Sequence, residues 1–214
     1  LWAIRSERKA IAGLVAQYGI QGIISDNRYG CYAPKVNSVL LTHQLRLRVP
    51  WFSWVINGAM RLAFDKFDTI WVPDTAAGPG LSGELSHTVP TVHRDVRYIG
   101  ILTRMRAYEC DPEYDVAVVL SGPEPQRSVL EQRLLEQAMF MPHKFVFVQG
   151  KTQAKTHHFA SDNVEMVSFL TTQDLNDVLM SSKVLISRSG YSSIMDLAGL
   201  GKKAILVPTP GQTE

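Results

Sequence analysis

Cysteine is scarce in this chain: Cys31 and Cys110 are the only two in 214 residues, far apart and without Cys-x-x-Cys spacing. That excludes a disulfide framework, argues against a zinc site, and points to a reducing compartment, the cytoplasm. Long apolar runs are missing too. None approaches the roughly 18 to 20 residues of a membrane span, and the opening Leu1-Trp2-Ala3-Ile4-Arg5 lacks the basic-then-apolar order of a signal peptide. An initiating methionine is also absent, so the chain is expected to begin partway through a gene product. Neither the net charge of +2 nor the pI near 8.6 reaches the clustered basicity of a nucleic-acid binder. The loop at 121–125 is not a Walker motif and lacks the three glycines of a dinucleotide fingerprint.

What the chain does have is enough apolar material for a core, 45% of its side chains. Its charge is uneven. Residues 1–98 carry 11 Lys/Arg against 7 Asp/Glu, and residues 99–214 carry 11 against 13, so the N-terminal half is expected to face something anionic.

The periodicity alternates. A helix is expected over Ser6–Tyr18, then a strand at Ile20–Ser25, a strand at Ser38–Thr42, a helix over Trp51–Phe67, a strand at Thr69–Val72, a turn-rich stretch at 75–90 and a strand at Tyr98–Gly100. The second half restarts the plan with strand Val116–Leu120, helix Gln126–Met139, strand Lys144–Val148, a polar loop over 150–163, strand Val164–Val167, helix Asp174–Ser181, strand Val184–Ser187, helix Ser192–Leu200 and strand Ala204–Val207. Strands alternating with helices imply an α/β chain of two Rossmann-like, doubly wound parallel-sheet domains, 1–100 and 101–214. The N-terminal domain is expected to be incomplete, and the C-terminal one to lack its last helices.

In such sheets ligands bind at the carboxyl ends of the strands, where loops meet helix N-termini that favour phosphate. Two loops fit. Ser121-Gly122-Pro123-Glu124-Pro125 follows an apolar strand and opens a helix; its plain reading is a strand-to-helix turn. Ser187-Arg188-Ser189-Gly190-Tyr191-Ser192-Ser193 offers small and hydroxylated donors to a diphosphate, with Arg188 as a charge and Asp196 one turn on to accept ribose hydroxyls. The plain alternative makes Ser192 an N-cap and Asp196 an acidic residue near a helix start.

Residues 187–208, Ser-Arg-Ser-Gly-Tyr-Ser-Ser-Ile-Met-Asp-Leu-Ala-Gly-Leu-Gly-Lys-Lys-Ala-Ile-Leu-Val-Pro, resemble the donor-binding segment of the MurG-type (family 28) glycosyltransferases. That family carries Arg-Ser-Gly, an acidic residue six positions after the glycine, then Ala-x-Gly-x-Pro and a strand ending in Val-Pro. Gly190 and Asp196 keep the six-residue step, with Asp in place of the usual Glu, and Lys202 or Lys203 stands where the family has Pro. More weakly, residues 39–45 are similar to the strand that ends in His-Glu-Gln, Ser121-Gly122 takes the place of a Gly-Gly-Ser phosphate loop, and Ser168–Thr172 corresponds to the segment whose backbone reads uracil.

The resemblance implies a GT-B-like fold and a transferase that moves a sugar, an N-acetylhexosamine, from a UDP-sugar to a glycan or lipid-linked acceptor. It implies inversion, with no cofactor and no metal. The donor would be bound by Ser121, Gly122, Arg188, Ser189, Gly190, Ser192, Ser193 and Asp196. The family's acceptor-side histidine loop is expected before Leu1 and its sugar-reading Gln pair after Glu214, so weak or no transfer is expected of residues 1–214 alone.

In the N-terminal half, His43 at a strand's carboxyl end is the candidate general base and Asp26 its rival, while Asn27 and Arg28 are candidates for phosphate or acceptor contact at an interdomain cleft. The other histidines have no ligand spacing and are given no role. Residues 46–66 interleave Trp51, Phe52, Trp54 and other bulky apolar residues with a net charge of +3. A buried helix is the favoured reading, and peripheral contact with the inner face of the plasma membrane the other. Two further functions stay open: hydrolysis or epimerisation of a UDP-sugar on the same fold, and a non-catalytic nucleotide-sugar-binding module.

Overall fold

The computed structural model describes residues 2–46, 53–87, 95–152 and 156–210. The chain divides into two compact units, Leu1–Ile101 and Leu102–Gln212.

The first unit opens with helix α1 (Trp2–Tyr18), four residues longer at its start than the sequence pattern suggests. It stops at Gly19, whose φ of 61° is the left-handed turn-off that only glycine adopts without strain. Strands β1 (Gly22–Asp26), β2 (Asn37–Leu41), β3 (Thr69–Val72) and β4 (Val96–Tyr98) form one parallel sheet in that order. Helix α2 (Ser53–Phe64) crosses from β2 to β3. It packs Met60 and Phe64 with Leu40, Leu45, Phe67, Ile70 and Val72. The buried-helix reading of 46–66 thus holds for Met60 and Phe64, while Val55, Ile56 and Leu62 are exposed. Arg48, Trp51 and Phe52 lie outside the described residues. The last strand sits two residues earlier than expected, because Gly100 at φ 82° leaves the extended region.

Among its described residues the second unit has six strands: β5 (Tyr114–Val119), β6 (Phe145–Val148), β7 (His157–Ser161), β8 (Val164–Val167), β9 (Ser182–Arg188) and β10 (Ala204–Val207), in sheet order β10-β9-β5-β6-β8-β7. Residues 150–163 are therefore no mere loop. They hold β7, which pairs antiparallel with β8 as an edge strand; the other pairs are parallel. Helix α3 (Gln126–Ala138) covers one face, where Leu130, Leu134 and Leu135 meet Val118, Phe145, Phe147 and Met166. Helices α4 (Thr172–Met180) and α5 (Tyr191–Leu200) cover the other, where Leu179, Met180 and Leu200 meet Ala117, Val146, Val167 and Leu185. The alternation along β5, Ala117 to one face and Val118 to the other, is the period of two that a doubly covered strand requires.

This winding has a consequence for binding. From β5 the chain runs outward through β6 to β8, then returns to the other side of β5 for β9 and β10. The direction reverses between β5 and β9, so a crevice is expected outside their carboxyl ends.

Candidate functional site

Both phosphate-loop candidates border that switch point, since one follows β5 and the other follows β9. They differ in what they offer.

At the second loop, Gly190 is the N-cap of α5 and contributes no side-chain cap. The helix begins at Tyr191, so Ser192 is its second residue rather than its cap. Residues 192, 193 and 196 then share one face at helical spacing. That face lines a cavity of about 210 Å³ with Val119, Ser187 and Leu197. A second, more open hollow of about 510 Å³ adjoins it, bounded by Leu102, Thr103, Arg104, Ser192, Met195 and Asp196. Asp196 is half-buried and its Oδ1 accepts from Thr103 Oγ1 at 2.5 Å. Ser189 and Gly190 are half-buried, and Ser187 is buried with its hydroxyl donating to the Arg188 carbonyl at 3.1 Å.

Arg188 departs from expectation. It is only 6% exposed, and its guanidinium points inward: Nη1 donates to the Pro208 carbonyl at 3.0 Å and Nη2 to the Gln126 carbonyl at 2.7 Å. Rather than presenting a charge to a ligand, it ties the end of β10 and the start of α3 to the loop.

The first loop departs further. Ser121 and Gly122 are exposed, Gly122 at φ 96°, but the start of α3 beyond them is already occupied. Glu124 Oε2 accepts from the Ser128 amide at 3.2 Å, and Oε1 accepts from Arg127 Nε at 3.0 Å and from Arg127 Nη2. The Ser128 side chain first and the Arg127 guanidinium next, with the Ser128 amide a smaller contribution, hold the Glu124 carboxyl below its ordinary range. The Arg127 amide bonds to the Pro123 carbonyl at 3.2 Å, and residues 123 and 125 are prolines without an N–H. The chain's own carboxylate thus stands where an incoming anion would meet this helix, so Ser121 and Gly122 are not backed by a vacant helix end. Arg127 also donates to the Gly150 carbonyl at 3.1 Å, and the hollow beside it, about 550 Å³, includes Lys151, Thr156 and Ser168.

The segment 168–172 is half committed. Ser168 donates its amide to the Thr156 carbonyl at 2.9 Å and its carbonyl accepts from Lys151 at 2.7 Å. Thr171 is the N-cap of α4. Only the backbone between them is left to read a base.

In the first unit, Asp26 is exposed at the end of β1. His43 lies just past β2, the neighbouring strand, so the two candidate bases share one sheet edge. Asn27, at φ 52°, accepts from the Thr42 hydroxyl at 3.1 Å and donates its amide to Leu41 at 2.9 Å, which makes it a turn residue. Arg28 is paired with Glu7 of α1, its Nε at 2.9 Å and Nη2 at 2.6 Å from Oε1. That bond and the carboxylate's charge raise the guanidinium's pKa. Its charge is thereby met inside the unit, contrary to the expectation that it is free for a phosphate.

Sequence reasoning missed Thr103, which lies 93 residues from the Asp196 it bonds, and the pairing of Glu124 with Arg127 at the start of α3. It also missed His87, given no role, which stands 3.3 Å from the fully buried Asp74.

Residues 118–214 match the model of the glycosyltransferase family 28 C-terminal domain. A Sulfurihydrogenibium sp. protein named UDP-N-acetylglucosamine--N-acetylmuramyl-(pentapeptide) pyrophosphoryl-undecaprenol N-acetylglucosamine transferase is 29% identical over 111 residues, which are 51% of this chain and 31% of that one. The chain thus spans about a third of that curated relative. Among solved structures, the glycotransferase of kitacinnamycin superposes with a TM-score of 0.64 at 13% identity, over 97% of this chain and 63% of that one. MurG of Acinetobacter baumannii gives 0.55 at 14%, over 98% and 58%. The fold is GT-B-like, as in these solved structures, and residues 118–214, a little under half of the chain, are similar to the glycosyltransferase family 28 C-terminal domain.

Proposed function

We propose that the chain belongs to a glycosyltransferase that moves a sugar, an N-acetylhexosamine, from a UDP-sugar to a glycan or lipid-linked acceptor, with inversion and without a metal. The observation that carries this is the crevice at the β5/β9 switch point, where Ser192, Ser193 and Asp196 line a cavity in the segment similar to the family 28 domain.

The donor's pyrophosphate would rest on the N-terminus of α5, whose first-turn amides and dipole favour negative charge. The Ser192 and Ser193 hydroxyls would add donors. Asp196, held by Thr103 through one oxygen, keeps the other for the ribose hydroxyls. Arg188 keeps the loop in shape from behind.

On the acceptor side, His43 or Asp26 would take the proton of the acceptor hydroxyl as its oxygen attacks the anomeric carbon, opposite the departing UDP. With donors fixed around the diphosphate, the leaving group's charge is met by backbone dipoles, the same preorganisation that stabilises developing oxyanions. The sequence carries no Asp-x-Asp pair, in keeping with a metal-free reading.

Amide chemical-shift mapping tests this directly. Titration with UDP should move the signals of residues 187–196 most; shifts centred on the Glu124 loop, or none, would refute the placement.

A further inference from the structure

We propose that Asp74 is a positioning residue: through a relay of hydrogen bonds it fixes the loop that carries His43, and so sets the place of the candidate base. The functional meaning rests on the reading of His43 given above, while the relay is made of bonds inside one unit.

Asp74 follows β3 and is fully buried. An isolated carboxylate in that position would be prohibitive, so its partners must account for it. They do. Oδ1 accepts from the Thr75 amide at 2.7 Å and the Leu81 amide at 2.9 Å. Oδ2 accepts from the Ser82 amide at 2.8 Å and the Ser82 hydroxyl at 2.6 Å, and His87 Nε2 lies 3.3 Å away. Burial pushes this carboxyl's pKa up, but the bonds from Ser82, Leu81 and Thr75 together outweigh it, and the net is well below the ordinary carboxylate range. Gly80 approaches so closely that an added Cβ would collide with His87 and with the carboxylate, and its φ of 57° suits glycine alone.

Ser82 leads into a single 3-10 turn, Gly83–Leu85. The Leu85 carbonyl then accepts two consecutive amides, Leu45 at 2.8 Å and Arg46 at 3.0 Å. On the other side of His43, the Thr42 amide donates to Trp71 on β3 at 2.9 Å. His43 is therefore held between two anchors, and the second exists only while the 75–87 loop keeps its shape. That shape is also braced by Tyr98, which stacks on His87 at 5.0 Å and donates its hydroxyl to the Ser86 carbonyl at 2.7 Å.

A carboxylate suits this post better than its amide. Four donors converge on two oxygens, and charge-assisted bonds are roughly twice as strong as neutral ones. Asparagine would turn an NH2 toward donors. The loop it orders contains Gly78, Gly80 and Gly83, all at positive φ, and such a segment loses much entropy on ordering.

The test compares histidine side-chain NMR signals of the full chain in wild type, D74N and V96A, the last a weakening of the same core that leaves the relay intact. D74N should shift or broaden the His43 signals while those of His143, His157 and His158 stay put, and V96A should leave His43 in place. S82A, which removes one donor, should give a smaller displacement of the same kind and carries the test if D74N does not fold. His43 signals unchanged in folded D74N or S82A, or moved equally by V96A, would overturn the proposal. Calorimetry with UDP separates the two readings: D74N should bind within twofold of wild type, and absence of UDP binding by wild type would sink the donor-site reading instead.

Discussion

The Thr103 hydroxyl donates to Asp196 at 2.5 Å, and Gly199 packs against that same threonine, so closely that a Cβ there would lie 2.6 Å from Thr103 Cγ2. G199A should therefore push Thr103 off its bond and cost about 1–3 kcal/mol by overpacking, read as a lower Tm with a weaker UDP affinity. Arg188 poses the opposite case, a charge whose worth is structural. R188K cannot span both carbonyls, and the loss of hydrogen bonds from a charged group, about 1.5–3 kcal/mol each, should appear in denaturant unfolding before any effect on donor chemistry. Neither contact could be read from the sequence. Thr103 and Asp196 are 93 residues apart, and the carbonyls that hold Arg188 belong to Gln126 and Pro208, ordinary backbone that any residue supplies.

At the scale of elements, what was legible was whatever burial wrote into side-chain type. Strands Thr69–Val72 and Val164–Val167, buried at Ile70, Val72, Val164, Met166 and Val167, match their sequence runs residue for residue. Strand β7 did not show, because His157, His158 and Phe159 are all exposed on an edge paired on one side only, which leaves no alternating signal. The start of α5 was misplaced by a residue, as Gly190 and not a serine is the cap. Lys202, a departure from the family pattern, has a task that only the fold reveals: its Nζ donates to the Met180 carbonyl and, at 2.9 Å, to that of Ser182, closing the end of α4. K202M should destabilise the second unit by about 1.5–3 kcal/mol, the range for hydrogen bonds to charged groups, measured as a lower urea midpoint with an unchanged slope.

At the scale of the whole molecule, the division into two α/β units followed from the restart of the strand-helix alternation near residue 116, whereas the self-capped first phosphate loop did not, since a carboxylate beside a helix start looks the same in sequence whether it binds its own chain or a neighbour. The two units should also differ in acid. Asp74 has its pKa depressed on folding, so its contribution is present above the unfolded carboxylate value of about 4 and is lost as pH falls below it toward the folded value. Wild-type unfolding followed by the Trp71 side of the first unit should steepen below about pH 4. In D74N that unit should be weaker at pH 7 yet flatter through the same range; parallel curves for the two proteins would show that the carboxylate carries none of this dependence.

The placement of the nucleotide decides the functional reading. Isothermal titration of UDP into the wild-type chain and into D196N measures it most directly. Saturable binding by wild type, weakened at least tenfold in D196N, about 1.4 kcal/mol, is the expected result; equal binding by the two proteins, or no binding by either, would contradict it.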